Sequence, residues 1–154
     1  MDATDQGILR QLQEDGRLTN AALAERVHLS PSPTLRRLRR LERDGTIRGY
    51  RAILDRRRVG LDLTVFVEVK LTAHSQQRAE EFSAAVAEID AVVACHIVAG
   101  MADMLLEVVV PDLPSYEKLL LETLLELPGV TDVRSNMAIR TVKEAGPLPL
   151  DQPT

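Results

Sequence analysis

A single cysteine, Cys95, is all that the 154 residues contain, so an internal disulfide and a cysteine-rich zinc cluster are both excluded. Three histidines, His28, His74 and His96, are scattered too widely to read as a metal-ligand pattern. Long apolar runs are also missing. The best stretches, Ala91 to Ala99 and Met104 to Val110, are broken by His96 and Glu107 and fall short of the ~18 residues that a membrane span requires. No basic start followed by an apolar block opens the chain, so a secretory signal is not expected and the expected location is cytoplasmic, without a membrane partner. Phosphate-binding glycine patterns, His-Glu-x-x-His and paired-carboxylate motifs are absent as well, so no enzyme signature is visible and no cofactor or metal is expected. Cys95 beside His96 resembles a nucleophile next to its base, yet neighbours on a strand point to opposite faces and cannot form a dyad. Glu80 with Glu81 and Glu122 with Glu126 read as solvated helix faces.

What is present is enough apolar residue, 45%, for real cores, and a strong asymmetry of charge. Residues 1–60 carry thirteen arginines against eight acids, whereas residues 61–154 carry six basic residues against fifteen acids. All ten basic residues from Arg36 to Arg58 are arginines. A polyanion-binding first part joined to a second part with a different task follows, with the boundary expected near Gly60.

In the first part, Asp2 or Thr4 is positioned to cap a helix with Ile8, Leu9 and Leu12 on its apolar face, ending at Asp15-Gly16. Thr19 or Asn20 opens a second helix over Ala21 to Val27, and His28-Leu29-Ser30 breaks it. Ser30-Pro31 is a cap and first-turn pair for a third helix, with Leu35, Leu38 and Leu41 as its expected inner stripe and Asp44-Gly45 as its end. Thr46 to Leu54 reads as a short strand or β-wing. In the second part, Val65, Val67, Val69 and Leu71 alternate as in a half-buried strand. A helix with Phe82, Val86 and Ile89 follows, then strands over Val92 to Val98 and Met104 to Val110 joined by a tight spacer. Next come a helix through Tyr116, Leu120, Leu124 and Leu127 and a last strand over Val130 to Val142. Strand-helix-strand twice is the ferredoxin-like βαββαβ arrangement, an α+β sandwich with one sheet face uncovered. An identical chain in a two-fold homodimer is the simplest cover. The three predicted parts are thus 1–60, 61–144 and an extended or frayed tail at 145–154.

The third helix carries the chemistry. Opposite its leucine stripe the helical phase places Ser32, Arg36, Arg40 and Arg43, with Arg37 and Arg39 flanking. A helix packed on two earlier helices, with guanidinium groups on its free face, has the dimensions and charge to enter the major groove of double-stranded DNA. Arg36 and Arg40 are the expected base readers. Ser30, Ser32 and Thr34 are expected to donate to phosphates and the wing residues Arg48 and Arg51 mainly to contact phosphates, with Arg37 and Arg43 in the same DNA-binding set. A solvated arginine face on an ordinary helix is the plainer alternative, which the preceding short helix, the tight turn and the basic wing count against.

These residues closely resemble the Lrp/AsnC (leucine-responsive, feast/famine) family of transcription regulators. The resemblance is carried by Asp2 with Asp5 and Ile8-Leu9, by Asn20 to Val27, by Leu29-Ser30-Pro31-Ser32-Pro33, and by Arg39-Arg40-Leu41-Glu42 with Gly45-Thr46-Ile47. It continues through Val98-Ala99-Gly100 with Asp103, Val110-Pro111-Asp112 and Leu127-Pro128-Gly129-Val130. It implies a winged helix-turn-helix joined to a ferredoxin-like effector module, often called RAM, with homodimers assembling into octamers or similar rings. It also implies an amino-acid effector in clefts between such modules, near Val98, Gly100, Met101, Ala102, Asp103, Met104, Leu113, Leu125, Asn136, Met137 and Ala138.

The loop departs from the family's usual glycine, acidic or polar, aromatic, aspartate, tyrosine pattern, reading Gly100-Met101-Ala102-Asp103-Met104. Asp103 is suited to accept hydrogen bonds from a ligand ammonium, and the loop amides to receive a carboxylate. Equally, Gly100 turns the chain and Asp103 caps the turn without any ligand. The soft residues favour a larger or more flexible side chain than leucine. The leading expectation is therefore a DNA-binding regulator modulated by an amino acid. A ligand-independent, nucleoid-type architectural protein is the alternative, and an enzyme of ferredoxin-like fold a distant third.

Overall fold

The computed structural model describes residues 1–72, 76–144 and 146–150, with the backbone alone for 76–78. The chain divides into two compact units, one formed by Met1–Ile53 with the C-terminal residues from Val142, the other by Leu54–Thr141.

The first unit contains α1 (Ala3–Glu14), α2 (Asn20–Arg26) and α3 (Pro31–Arg43). A reciprocal capping box starts α1: Asp2 Oδ1 accepts the Asp5 amide at 2.8 Å, and Asp5 Oδ2 accepts the Asp2 amide at 3.2 Å. Thr19 caps α2 by accepting the Ala22 amide at 3.2 Å. The end of α2 is a two-bond cap in which His28 donates to the Glu25 carbonyl at 3.2 Å and Leu29 to the Ala24 carbonyl at 2.9 Å. That geometry places His28 in the left-handed region at φ 55°, a position glycine usually fills. Ile8, Leu23 and Leu41 are buried and gather Leu9, Leu12, Leu18, Val27, Leu38 and Ile47 around them.

Two expectations for this unit change. The segment after α3 forms no strand. Asp44 Oδ1 accepts both the Thr46 amide and hydroxyl, and Ile47 donates to the Leu41 carbonyl at 2.9 Å, so the chain turns back on the helix and has no neighbouring backbone to ladder with. The tail, as far as it is described, is tied rather than frayed: Leu148 donates to Gln13 Oε1 at 2.5 Å, and Gln13 Nε2 donates to the Leu148 carbonyl at 3.3 Å.

The second unit contains β1 (Leu63–Leu71), α4 (Gln76–Ala87), β2 (Val92–Ile97), β3 (Met104–Val110), α5 (Leu113–Glu122) and β4 (Val130–Met137). The antiparallel sheet has the order β2-β3-β1-β4, the ferredoxin-like arrangement expected. Val65, Val67 and Val69 of β1 and Met104, Leu106 and Val108 of β3 pack with Phe82 of α4 and Tyr116 of α5 in one core, so both helices cover the same face. Phe66, between the valines, is 41% exposed on the other face.

Three boundaries differ from expectation. Asp112 caps α5 through the Ser115 amide at 2.8 Å, but the helix stops at Glu122 and Leu124–Glu126 form a 3-10 turn, which buries Leu124 and leaves Leu125 43% exposed. Strand β4 ends at Met137 rather than Val142, because its last bond, from the Ala138 amide to the Thr64 carbonyl, reaches the start of β1. No partner backbone remains beyond it. Finally, Leu54–Gly60 belongs to the sheet unit, where Arg56 donates to Thr64 Oγ1 at 3.0 Å and Glu107 Oε1 at 2.9 Å.

Candidate functional site

The inner stripe of α3 is rotated from the leucine pattern. Thr34 and Leu41 are its buried residues and Leu38 joins the core cluster, whereas Leu35 lies outside it. A threonine is tolerated inside because its hydroxyl donates to the Ser30 carbonyl at 3.0 Å, one turn back along the helix. Thr34 is therefore fully buried and is not a phosphate donor. Ser30 opens the helix without a side-chain cap bond, which leaves its exposed hydroxyl uncommitted.

With Thr34, Leu38 and Leu41 inside, the outward face at about 100° per residue is Ser32, Arg36, Arg39 and Arg43, all exposed. Arg39, expected to flank, takes the place assigned to Arg40. Arg37 and Arg40 turn toward α1 instead. Arg37 Nη1 lies 2.6 Å from Asp2 Oδ2 and 2.9 Å from Asp5 Oδ1, and Arg40 Nη2 lies 2.5 Å from Asp5 Oδ2. The Asp5 amide, followed by the Arg37 guanidinium, holds the Asp2 carboxyl below its usual value. Donating hydrogen bonds to the carboxylates of Asp2 and then Asp5 pushes the Arg37 guanidinium up. Arg40, expected as a base reader, pairs with Asp5 while its side chain stays 46% exposed. Arg48 and Arg51, past the end of the helix, are exposed. The charge distribution alone pointed to this helix, but its exact phase depended on the self-satisfied hydroxyl of Thr34.

The hairpin loop is tightly held. Val98 donates to the Asp103 carbonyl and Asp103 to the Val69 carbonyl, both at 3.0 Å, and Asp103 Oδ2 accepts the Leu71 amide at 2.9 Å. That carboxylate pins the end of β1, where the pairing with β4 shifts register between Lys70 and Leu71. Gly100 turns the chain at φ 151°, and Met101 projects with 71% of its surface exposed. Met104, expected near the effector, lies in the core at 1% exposure. Val98, Ala102 and Ala138 are half-buried, and Leu113, Leu125, Asn136 and Met137 are exposed. Asn136 and Met137 point to opposite faces: Asn136 pairs with Phe66, and its amide donates to Glu68 Oε1 at 3.2 Å, while Met137 pairs with Val65.

The cleft that contains Met101 and Ala102 is lined by Glu68, Lys70, Asp132 and Arg134, four residues not expected from the sequence. They stand opposite one another in register, Glu68 with Arg134 and Lys70 with Asp132. The alternation Glu-x-Lys and Asp-x-Arg on two strands was the available signal. On β2, Cys95 faces Leu106 and His96 faces Leu105 in the ladder, which separates them as strand geometry requires. Burial pushes the Cys95 thiol up, away from a reactive thiolate.

Comparison with known proteins agrees with both halves. The family model for the Lrp/AsnC ligand binding domain matches residues 64–148, and that for a winged helix-turn-helix DNA-binding domain matches residues 1–48. The chain is 46% identical over 148 residues to the leucine-responsive regulatory protein of Salmonella typhimurium, covering 96% of this chain and 90% of that protein. A transcriptional regulator of Neisseria meningitidis, solved as a complex with L-Met, superposes with a TM-score of 0.92 at 40% identity, covering 98% of this chain and 97% of that one. An AsnC family transcriptional regulator of Agrobacterium tumefaciens gives the same TM-score and identity, covering 98% of each chain.

Proposed function

Because the chain belongs to the Lrp/AsnC family of transcription regulators, a family of DNA-binding regulators and not of enzymes, we propose that it reads its operator through Ser32, Arg36, Arg39 and Arg43 and that an amino acid biases this reading. The outward arginine face of α3 carries the proposal. Ser30, Arg48 and Arg51 add phosphate contacts, and residues 1–53 are the DNA-reading module. Replacing a base-reading arginine should cost about 1–3 kcal/mol and relax preference at one base pair, whereas losing one phosphate contact should lower the salt slope by about one. Operator titrations of Arg36→Ala and Arg39→Ala at several salt concentrations test it. Parent-like binding by both would refute the assignment.

Self-association belongs to the same proposal. The open sheet face presents Phe66 among residues of both charge signs, which suits a second copy in two-fold register, and a homodimer building toward an octamer is the assembly proposed. For the effector, the loop amides of Gly100, Met101 and Ala102 are placed to receive a carboxylate, with Asp103, Met101 and the exposed Leu113, Leu125 and Met137 completing the site between copies. The Neisseria relative's complex with L-Met and the flexible Met101 support a methionine-sized ligand. Calorimetry with L-methionine and L-leucine should show binding that weakens ten-fold or more in Asp103→Asn, since a buried charge-assisted bond is lost. The isosteric amide still accepts from Leu71, so the fold is kept. Absence of binding by any amino acid at millimolar concentration would favour the architectural alternative.

A further inference from the structure

The carboxylate of Asp5 is buried, at 2% side-chain exposure, yet belongs to the same corner as two arginines of the recognition helix. Its oxygens are fully engaged: Oδ1 accepts from Arg37 Nη1, while Oδ2 accepts from Arg40 Nη2 and the Asp2 amide. We propose that Asp5 is a positioning residue of DNA recognition, which holds Arg37 and Arg40 on α1 and so limits the arginines that α3 offers to DNA to Arg36, Arg39 and Arg43. The inference rests on α3 being the DNA-reading helix.

A buried carboxylate cannot give up its cations without being left uncompensated, so a phosphate must compete against preformed pairs whose carboxylate is buried. Arg40 also faces a cleft lined by the acids Asp2, Asp5 and Asp44 together with Met1. Asp2 and Asp5 thus answer Arg37, and Asp5 and Asp44 answer Arg40, so the corner attracts phosphate less than the outward face does. Among the described residues Arg36 and Arg39 have no ion pair, and Arg43 has only the adjoining carboxylate of Asp44 near it. The arrangement trims sequence-independent attraction, which scales with phosphates neutralised, while leaving the base-reading face intact. Its benefit is a larger ratio of specific to non-specific binding.

Asp5→Asn removes the charge while keeping the volume and an oxygen for the Asp2 amide. On a mixed-sequence duplex its log–log salt slope should steepen by about 1–2 per bound helix, with affinity at low salt rising roughly ten-fold as the two arginines reach phosphates. Adding Arg40→Gln to Asp5→Asn should cancel about half of that increase. Arg40→Gln alone, where Arg37 still compensates Asp5, should leave the parent slope unchanged, and this measurement stands even if Asp5→Asn folds poorly. A purely structural role for Asp5 predicts no change of slope in folded protein. The proposal is overturned if Arg40→Gln alone lowers the slope by about one, or if folded Asp5→Asn keeps the parent slope. Either result with normal parent binding leaves the reading of α3 standing, whereas a parent that binds no DNA sinks both.

Discussion

His28 shows how a single residue can work against its backbone and still mark the fold. Its φ of 55° costs an L-residue about 1–2 kcal/mol, and the two cap bonds of Glu25 and Ala24 offset part of that. Glycine would relieve the strain but would add freedom to the unfolded chain, so His28→Gly should stabilise by only about 0.5 kcal/mol, whereas His28→Val should destabilise by about 1 kcal/mol or more. Urea midpoints of the two variants read the difference, and equal midpoints would show that the turn tolerates any residue. The side chain itself is exposed, so the effect is one of backbone conformation.

Helices α1 and α5 begin on carboxylates, Asp2 and Asp112, and α3 ends on one, Asp44, and this makes their stability respond to acid. Asp2 is held below the usual 3.8 by the Asp5 amide and then by Arg37, Asp44 by the Thr46 hydroxyl and then its amide, and Asp112 by the Ser115 side chain and then its amide. A carboxyl lowered in the folded state binds its proton less readily there than in the unfolded chain. Its contribution is therefore complete above 3.8 and disappears as pH falls through the lower, folded value. The triple variant Asp2→Asn, Asp44→Asn, Asp112→Asn should have a flatter acid limb below pH 3.8 in denaturant titrations, and an unchanged limb would remove the caps as its cause. The cap at Asp2, as one of two candidates, the helix end at Asp44 and the order of all the strands were legible in the sequence, because capping residues and periodicity are local, whereas the cap at Asp112 was not read. What else was not legible depended on neighbours distant in sequence. The length of β4 was set by where β1 begins, the phase of α3 by the hydroxyl of Thr34 bending back to Ser30, and the fate of Arg40 by Asp5 on another helix. Asp103 was placed at the hairpin loop, but the hold of its carboxylate on Leu71 lay across 32 residues.

At the level of the whole molecule, the division of charge noted in the sequence coincides with a division of structure, although the dividing point moves from Gly60 to Ile53. Arg56 explains the shift, since it answers Glu107 within the sheet unit. The fragment Leu54–Thr141 should therefore fold by itself and sediment as a dimer at micromolar concentration, and a monomer there would disprove the proposed use of the open face. The same division makes the sheet unit an insertion between two pieces of the helical one. Gln13 meets Leu148 across 135 positions. At ordinary rates of translation, the ribosome needs on the order of 10 s to deliver that partner. The three helices therefore emerge while the sheet is still to be made, and the first unit is closed by its second piece only after the sheet unit has been delivered.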